Sequence, residues 1–334
     1  MNEQVPLLQV NQVSRTFPIG RTLLGKSRHK VLALDGVSLE LKKGETLGLV
    51  GESGCGKSTL AKLLVALDKP SGGEIHFEGK NLGQLSGADL QDCRKRIQMV
   101  FQDPLASLNP RLAVRASIAE PLGNFTALDK QEIETRIDEL ARQVGLSAHH
   151  LDRFPHELSG GQCQRVGIAR AIACRPDVIV ADEPVSALDV SIQAQILNLL
   201  FEIKSNMGLS IVFVSHDLSV VAHVADRVAV MYLGRIVEIG SAEKLFGNPR
   251  HPYTQMLLGA LPHPRPEARR RRSVVKGELP SPLDPPTGCH FQTRCPLAGE
   301  DCIRVAPVLK RTETASHMAA CHRLEEQAIG DIRD

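Results

Sequence analysis

Short apolar runs alternate along this chain with stretches in which apolar residues return every three or four positions, as far as Gly247. Thr46 to Val50 is an apolar run entering a glycine-rich turn, and Ser58 to Leu67 leaves that turn with helical spacing, so the order is strand, loop, helix. Leu7 to Val13 and Val37 to Leu41 alternate as strands of a β-rich edge, with the polar stretch Arg21 to Lys30 reading as a loop between them. Glu74 to Phe77 and Ile97 to Phe101 read as further strands. Lys130 to Val144 repeats Ile133, Ile137, Leu140 and Val144 at helical intervals, which predicts a helical insertion after Gln102. Val166 to Ala173 and Ile192 to Ile203 continue as helices, whereas Val178 to Ala181 and Ile211 to Val214 have the unbroken apolar character of strands covered on both faces. The alternation predicts an α/β fold with a mostly parallel core sheet, an antiparallel β edge and helices on both faces.

Beyond Gly247 the pattern fails because proline becomes frequent, from Pro249 and Pro252 to Pro285 and Pro286. We therefore expect one large α/β unit over 1–247, with a helical subdomain at about 103–170, and a proline-rich extension over 248–334. Hydrophobic residues at 42% and charged residues at 23% are enough to build a core. No segment approaches the roughly 18 uninterrupted apolar residues that span a bilayer, Val220 to Leu233 being broken by His223, Asp226 and Arg227. Met1 to Val10 lacks a secretory signal, so a cytoplasmic location is expected. A formal net charge of +2 argues against a surface that neutralises many phosphates, and no nucleic-acid partner is expected. Arg269 to Arg272 form one basic run, which reads as a solvated linker or, more sharply, as a contact for lipid headgroups. Eight cysteines in a reducing compartment are poor candidates for disulfides; four of them, Cys289, Cys295, Cys302 and Cys321, cluster in the extension.

The chemistry begins at Gly51, followed by Glu52, Ser53, Gly54, Cys55, Gly56, Lys57 and Ser58. This run fits a phosphate loop completely, in the strand-to-helix context that supports such a match. Its glycines let backbone N–H groups approach phosphates at a helix N-terminus, while Lys57 would hold the β- and γ-phosphates and Ser58 would ligate magnesium. Val178 to Ala181 leads into Asp182 and Glu183, two carboxylates at the strand end where ligands bind in such sheets. Asp182 would hold magnesium and Glu183 would polarise an attacking water. A second glycine-rich helix start, Leu158-Ser-Gly-Gly-Gln162, can take an anion but has no lysine, and a Ser-Gly-Gly turn in isolation is usually only a helix cap.

In this order the motifs resemble those of ATP-binding subunits of ABC transporters, from about Leu7 to Cys321. The resemblance implies an ATPase fold in which ATP is contacted by Phe17, Gly51, Ser53, Gly54, Cys55, Gly56, Lys57, Ser58, Thr59 and Gln102. Magnesium would be held by Ser58, Gln102 and Asp182. It assigns Glu183 as the catalytic base, His216 as the switch histidine and Asp189 to the D-loop. Read without the other motifs, His216 is a polar residue satisfied at a strand end. The resemblance also implies that Ser159, Gly160, Gly161 and Gln162 act in trans, covering the γ-phosphate of ATP held by another subunit, so that two subunits enclose two nucleotides.

Phe101 to Pro110, His251-Pro-Tyr-Thr254 with Leu261-Pro262, and Gly288 to Pro296 are similar to stretches of the ATPases of dipeptide, oligopeptide and nickel importers, most of all to the second ATPase of a dipeptide system. That branch implies peptide import across the cell membrane. Its partners would be a paralogous ATPase subunit, two transmembrane permease subunits and, indirectly, a substrate-binding protein. Nickel or glutathione import is the alternative within the family; a non-transport ABC ATPase or an exporter lies outside it. Four thiols suit either zinc or an iron–sulfur cluster. The spacing lacks the close ligand pairs usual for structural zinc, and some peptide-transporter ATPases carry a cluster in this extension, so a 4Fe-4S cluster on Cys289, Cys295, Cys302 and Cys321 is preferred. Zinc, with His290 or His322, and four free thiols stay open.

Overall fold

The computed structural model describes residues 5–21, 27–260, 280–312 and 316–324. The Arg269 to Arg272 run and Leu261-Pro262 lie outside these residues. Strands β1 (Leu8–Arg21) and β2 (Ser27–Leu41) form a long hairpin, followed by β3 (Thr46–Val50), α1 (Lys57–Leu64), β4 (Gly72–Phe77), β5 (Lys80–Asn81), α2 (Gly87–Arg96) and β6 (Ile97–Val100). Helices α3 (Val114–Phe125), α4 (Lys130–Gln143), α5 (Ala148–Leu151) and α6 (Gly160–Ile172) come next. The core resumes with β7 (Val178–Asp182), α7 (Val190–Met207), β8 (Ser210–Ser215), α8 (Leu218–Val224), β9 (Arg227–Tyr232) and β10 (Arg235–Ser241). The chain ends in α9 (Ala242–Gly247), α10 (Pro252–Gly259), α11 (Glu300–Arg304) and the two-residue strands β11 (Lys310–Arg311) and β12 (Met318–Ala319).

The strands form two sheets. One is a four-stranded antiparallel sheet in the order β2-β1-β4-β5. The other has eight strands in the order β11-β12-β10-β9-β3-β8-β7-β6, parallel from β9 to β6 and antiparallel from β9 outward through β10 and β12 to β11. The apolar runs of β3, β7 and β8 have a simple cause. Successive side chains point to opposite faces, so Val178 and Val180 pack with Leu60 and the antiparallel sheet while Ile179 and Ala181 pack with α6 and α7. Both faces are covered, which leaves polar residues only at the strand ends, Thr46, Asp182, Ser210 and Ser215.

Helix ends follow local chemistry. Asp129 caps α4 through a carboxylate that accepts from the N–H groups of Gln131 and Glu132, and Glu132 returns a bond to the Asp129 N–H. Helix α1 stops at Leu64, three residues short of the expected end, because Ala66 turns to φ 53° and Lys69 precedes Pro70, a position that disfavours helix.

A second expectation needs correction. The stretch from Arg21 to Lys30 is not a loop throughout: β2 begins at Ser27, with Arg21 opposite Ser27 and Phe17 opposite Val31. Hydrophobic alternation reports burial, not hydrogen bonding. A hairpin arm exposed on its faces keeps its ladder while carrying polar residues.

The extension packs on the core sheet. Strand β12 pairs with β10, and the fully buried Glu238 of β10 gathers three donors from the extension. The N–H of Arg250 reaches it at 2.7 Å, that of His251 at 2.9 Å, and His317 Nε2 at 2.6 Å. His251 Nδ1 accepts the Tyr253 N–H at 3.1 Å, so this buried imidazole is neutral, and burial pushes its pKa down to about 4. An unfolded histidine titrates near 6.5, so between these values the unfolded chain binds a proton that the folded chain refuses. Stability is therefore full above about pH 6.5 and falls as the pH drops toward 4, by about 2 kcal/mol at pH 5. We expect thermal melts at pH 7.5 and pH 5 to show this loss, and His251→Gln to flatten it. An equally steep profile in the variant would assign the acid sensitivity to another group.

Candidate functional site

The phosphate-loop residues connect β3 to α1 in a tight turn. Gly51, at φ 154°, lies so close to the Met231 carbonyl that a Cβ would collide with it, and a Cβ on Gly56, at φ 111°, would stand 2.5 Å from the Ala33 carbonyl oxygen. Only glycine fits either position. Ser53 and Gly54 form the exposed rim of the turn, while Cys55 is buried beneath it and Thr59 is half-buried on α1. The Lys57 side chain folds back, only 4% of the residue exposed, and its ammonium donates to the carbonyls of Gly51 at 2.7 Å and Glu52 at 3.0 Å.

Ser58 Oγ donates to Asp182 Oδ1 at 3.1 Å, which joins the start of α1 to the end of β7. Asp182 is 5% exposed, and burial raises its pKa against the lowering effect of the Ser58 hydrogen bond. A buried carboxylate beside a hydroxyl, at the mouth of a phosphate loop, is a hard oxygen donor set of the kind magnesium takes.

Glu183 follows in the left-handed region at φ 46°, held there by its N–H donating to the Val214 carbonyl at 3.0 Å. For a non-glycine residue this conformation costs about 1–3 kcal/mol and is found where the surroundings impose it. The turn aims the carboxylate so that Oε2 accepts from Gln102 Nε2 at 3.0 Å and meets His216 Nδ1 at 3.1 Å. Residues from the ends of β6, β7 and β8 thus converge on one oxygen next to the Ser58–Asp182 pair.

The remaining residues named from sequence sit apart from that point. Ser159 caps α6, its Oγ accepting the Gln162 N–H at 3.3 Å and its own N–H donating to Gln162 Oε1 at 2.9 Å. Gly161 packs so closely on Ile192 that a Cβ would be 2.7 Å from its Cγ2. These bonds are local, and Ser159 and Gly160 are left exposed at the helix start, with Gly161 half-buried. Asp189 is exposed at the start of α7. Phe17 lies half-buried in the antiparallel sheet with the Arg15 guanidinium 4.6 Å from its ring centroid.

Three residues holding the loop were not named from sequence as site residues. The Glu52 N–H donates to Tyr253 Oη at 2.8 Å, and the Glu52 carboxylate is gripped by both terminal nitrogens of Arg294 at 2.7 and 2.9 Å. Their separation, 242 residues for the Glu52–Arg294 pair, hides them from any spacing argument.

The four thiols of the extension come together. The Cys289 N–H donates to the Cys302 carbonyl at 2.7 Å. Burial raises Cys289 and Cys295, and pushes Cys321 up to about 11, where the other three thiols add to the effect. Backbone N–H groups point at sulfur, that of Arg323 lying 3.4 Å from Cys321 Sγ. Among the described residues, however, no group of three or more His, Cys, Asp or Glu is assembled closely enough to hold a metal. Both candidate histidines are turned elsewhere: His290 Nδ1 meets the Leu233 carbonyl at 3.0 Å, and His322 Nε2 that of Val305 at 2.9 Å. No helix among the described residues is long and apolar enough to cross a membrane.

Comparison with known proteins places this geometry in context. A family model described as ABC transporter matches residues 34–186, and one described as the oligopeptide/dipeptide transporter C-terminal region matches 237–302. The chain is 50% identical over 322 residues to the oligopeptide transport ATP-binding protein AppF of Bacillus subtilis, covering 96% of this chain and 98% of that one. It is 48% identical to the dipeptide transport ATP-binding protein DppF of Escherichia coli, covering 97% and 96%. Among solved structures, the ATP-binding cassette MJ0796, in a dimeric post-hydrolysis state bound to ADP and phosphate, superposes with a TM-score of 0.63 at 31% identity. That match covers 70% of this chain and 98% of the cassette.

Proposed function

The chain belongs to the ABC transporter ATP-binding family, in its oligopeptide/dipeptide branch, and from that premise we propose that it is the ATPase that powers import of oligopeptides or dipeptides across the cell membrane. The observation that carries the reading is the convergence of Gln102 and His216 on the Glu183 carboxylate, beside the Ser58–Asp182 pair.

In this reading Lys57 leaves the loop carbonyls for the β- and γ-phosphates, and the N–H groups of the loop, with Thr59 behind Ser58, complete the cradle. Ser58, Gln102 and Asp182 are the oxygen donors for magnesium, which when bound neutralises charge on the phosphates. Glu183 accepts the proton of the attacking water, and His216 donates to the γ-phosphate. Ser159 to Gln162 of a second ATPase subunit close the site, adding a helix N-terminus and a hydroxyl where charge develops. Phe17 is assigned to the adenine and Asp189 to the interface between the two subunits. The exposure of Ser159 and Gly160 supports this arrangement in trans.

The functional units are 1–247, with the helical subdomain at about 103–170, and the extension 248–334. Gln102 leads straight into that subdomain, which suits it to report nucleotide state to two permease subunits at the cytoplasmic face of the membrane. The second ATPase is a paralogue. The thiols of Cys289, Cys295, Cys302 and Cys321 are the ligands of an iron–sulfur cluster, a reading supported by the electrostatic influence of the other three thiols on Cys321 and by the Arg323 N–H directed at its sulfur.

Purification of the tagged chain from its membrane tests the assignment. Two polytopic membrane proteins and a paralogous ATPase should accompany it; ribosomes or DNA-repair proteins in their place would overturn it. Anaerobic preparation should yield iron and sulfide in equal amounts, and a colourless, metal-free protein would remove the cluster.

A further inference from the structure

We propose that Arg294 is a positioning residue for ATP: from the extension, it holds and neutralises Glu52 so that the phosphate loop presents an ordered, anion-accepting surface. The inference rests on the Gly51–Ser58 turn being the phosphate loop.

Glu52 is the second residue of the turn, and a carboxylate there is a problem for a site that must accept a polyanion. Its charge lies within the loop whose N–H groups and lysine are to meet phosphate, where like charges repel across a partly buried and weakly screened gap. Arg294 removes the difficulty with a fork of two bonds, at 2.7 and 2.9 Å to the two carboxylate oxygens. Bidentate pairs of this kind fix orientation as well as charge. They also hold the carboxylate on the extension.

Arg294 is itself held in place. Its side chain is only 9% exposed, its guanidinium lies 5.8 Å from the Tyr232 ring and 5.9 Å from the Phe291 ring, and its N–H donates to the Phe291 carbonyl at 3.0 Å. Phe291 is buried edge-on against Tyr232, with centroids 5.3 Å apart at 87°, and Tyr253 packs on both rings. Tyr253 in turn takes the Glu52 N–H at 2.8 Å. The turn is thus held through backbone and side chain by one aromatic platform, to which α10 and the cysteine-bearing segment both contribute. A glycine-rich turn loses much conformational entropy when it orders, and a platform that orders it beforehand leaves less of that loss to be met by nucleotide binding.

The test uses the assembled transporter, with steady-state ATP hydrolysis measured over a range of ATP concentrations. Arg294→Gln should raise KM for ATP roughly tenfold, as expected for losing a charge-assisted pair, and change kcat by less than about twofold. Adding Glu52→Gln to that variant should recover most of the loss, because no carboxylate is then left unpaired beside the phosphates. A purely structural role would give no such recovery, and a double variant no better than the single one overturns the proposal. Should Arg294→Gln not assemble, Arg294→Lys, which keeps the charge but not the fork, must still raise KM by about threefold. An unchanged KM in these variants, with Lys57→Ala unable to bind ATP, sinks the role of Arg294 and leaves the phosphate loop standing. Normal ATP binding by Lys57→Ala would instead remove the phosphate-loop assignment itself.

Discussion

Glu183→Gln retains ATP binding within about threefold of wild type and loses phosphate release by about a hundredfold or more, the contribution usual for a positioned general base. The variant isolates proton acceptance because the amide matches the carboxylate in shape. The left-handed turn at φ 46°, set by the backbone bond from the Glu183 N–H to Val214, does not depend on the side-chain charge. The amide oxygen can still accept from Gln102, but the neutral group is a poor base for water. Nucleotide retention and single-turnover phosphate release, measured on the assembled transporter, separate binding from chemistry. Full turnover would mean that another group activates the water.

Lys57→Ala is expected to weaken ATP binding by about a hundredfold or more while leaving the fold intact, since hydrogen bonds to charged groups contribute about 1.5–3 kcal/mol each. The ammonium is buried, yet its close contacts are the carbonyls of Gly51 and Glu52 and the Cys55 sulfur at 3.9 Å, all within the loop itself. Among the described residues its hydrogen bonds stay within the loop, so a thermal melt near that of wild type should accompany the lost affinity. Titration with a fluorescent ATP analogue reads the affinity directly. Unchanged binding would show that the loop does not hold phosphate.

Strands β3, β6, β7 and β8 of the core sheet were legible because each is short, largely apolar and buried, a pattern with few alternatives; β9 and β10 went unread in the sequence. Residues 51–58 were legible for a different reason: the glycines answer backbone requirements at Gly51 and Gly56 that no other residue meets. The stretch from Arg21 to Lys30 was misread because its order comes from cross-strand pairings such as Arg21–Ser27 and Pro18–Lys30, which leave no mark on side-chain polarity. Proline in the extension rightly excluded long elements. It said nothing of the two short strands that extend the main sheet, or of Glu238, whose three partners come from 12 to 79 residues away.

Chain order alone specified the local devices: a strand feeding a glycine turn, a carboxylate pair ending a second strand, and a serine cap leading a second glycine-rich start. These depend on neighbours a few residues apart, where covalent geometry limits the choices. Their convergence is a long-range matter. Gln102, Glu183 and His216 meet because parallel strands β6, β7 and β8 end at the same edge of the sheet, and Glu52 meets Arg294 because the extension folds back onto the loop. Contacts across 33, 81 or 242 residues are selected by packing and burial of the whole chain, and no local pattern encodes them.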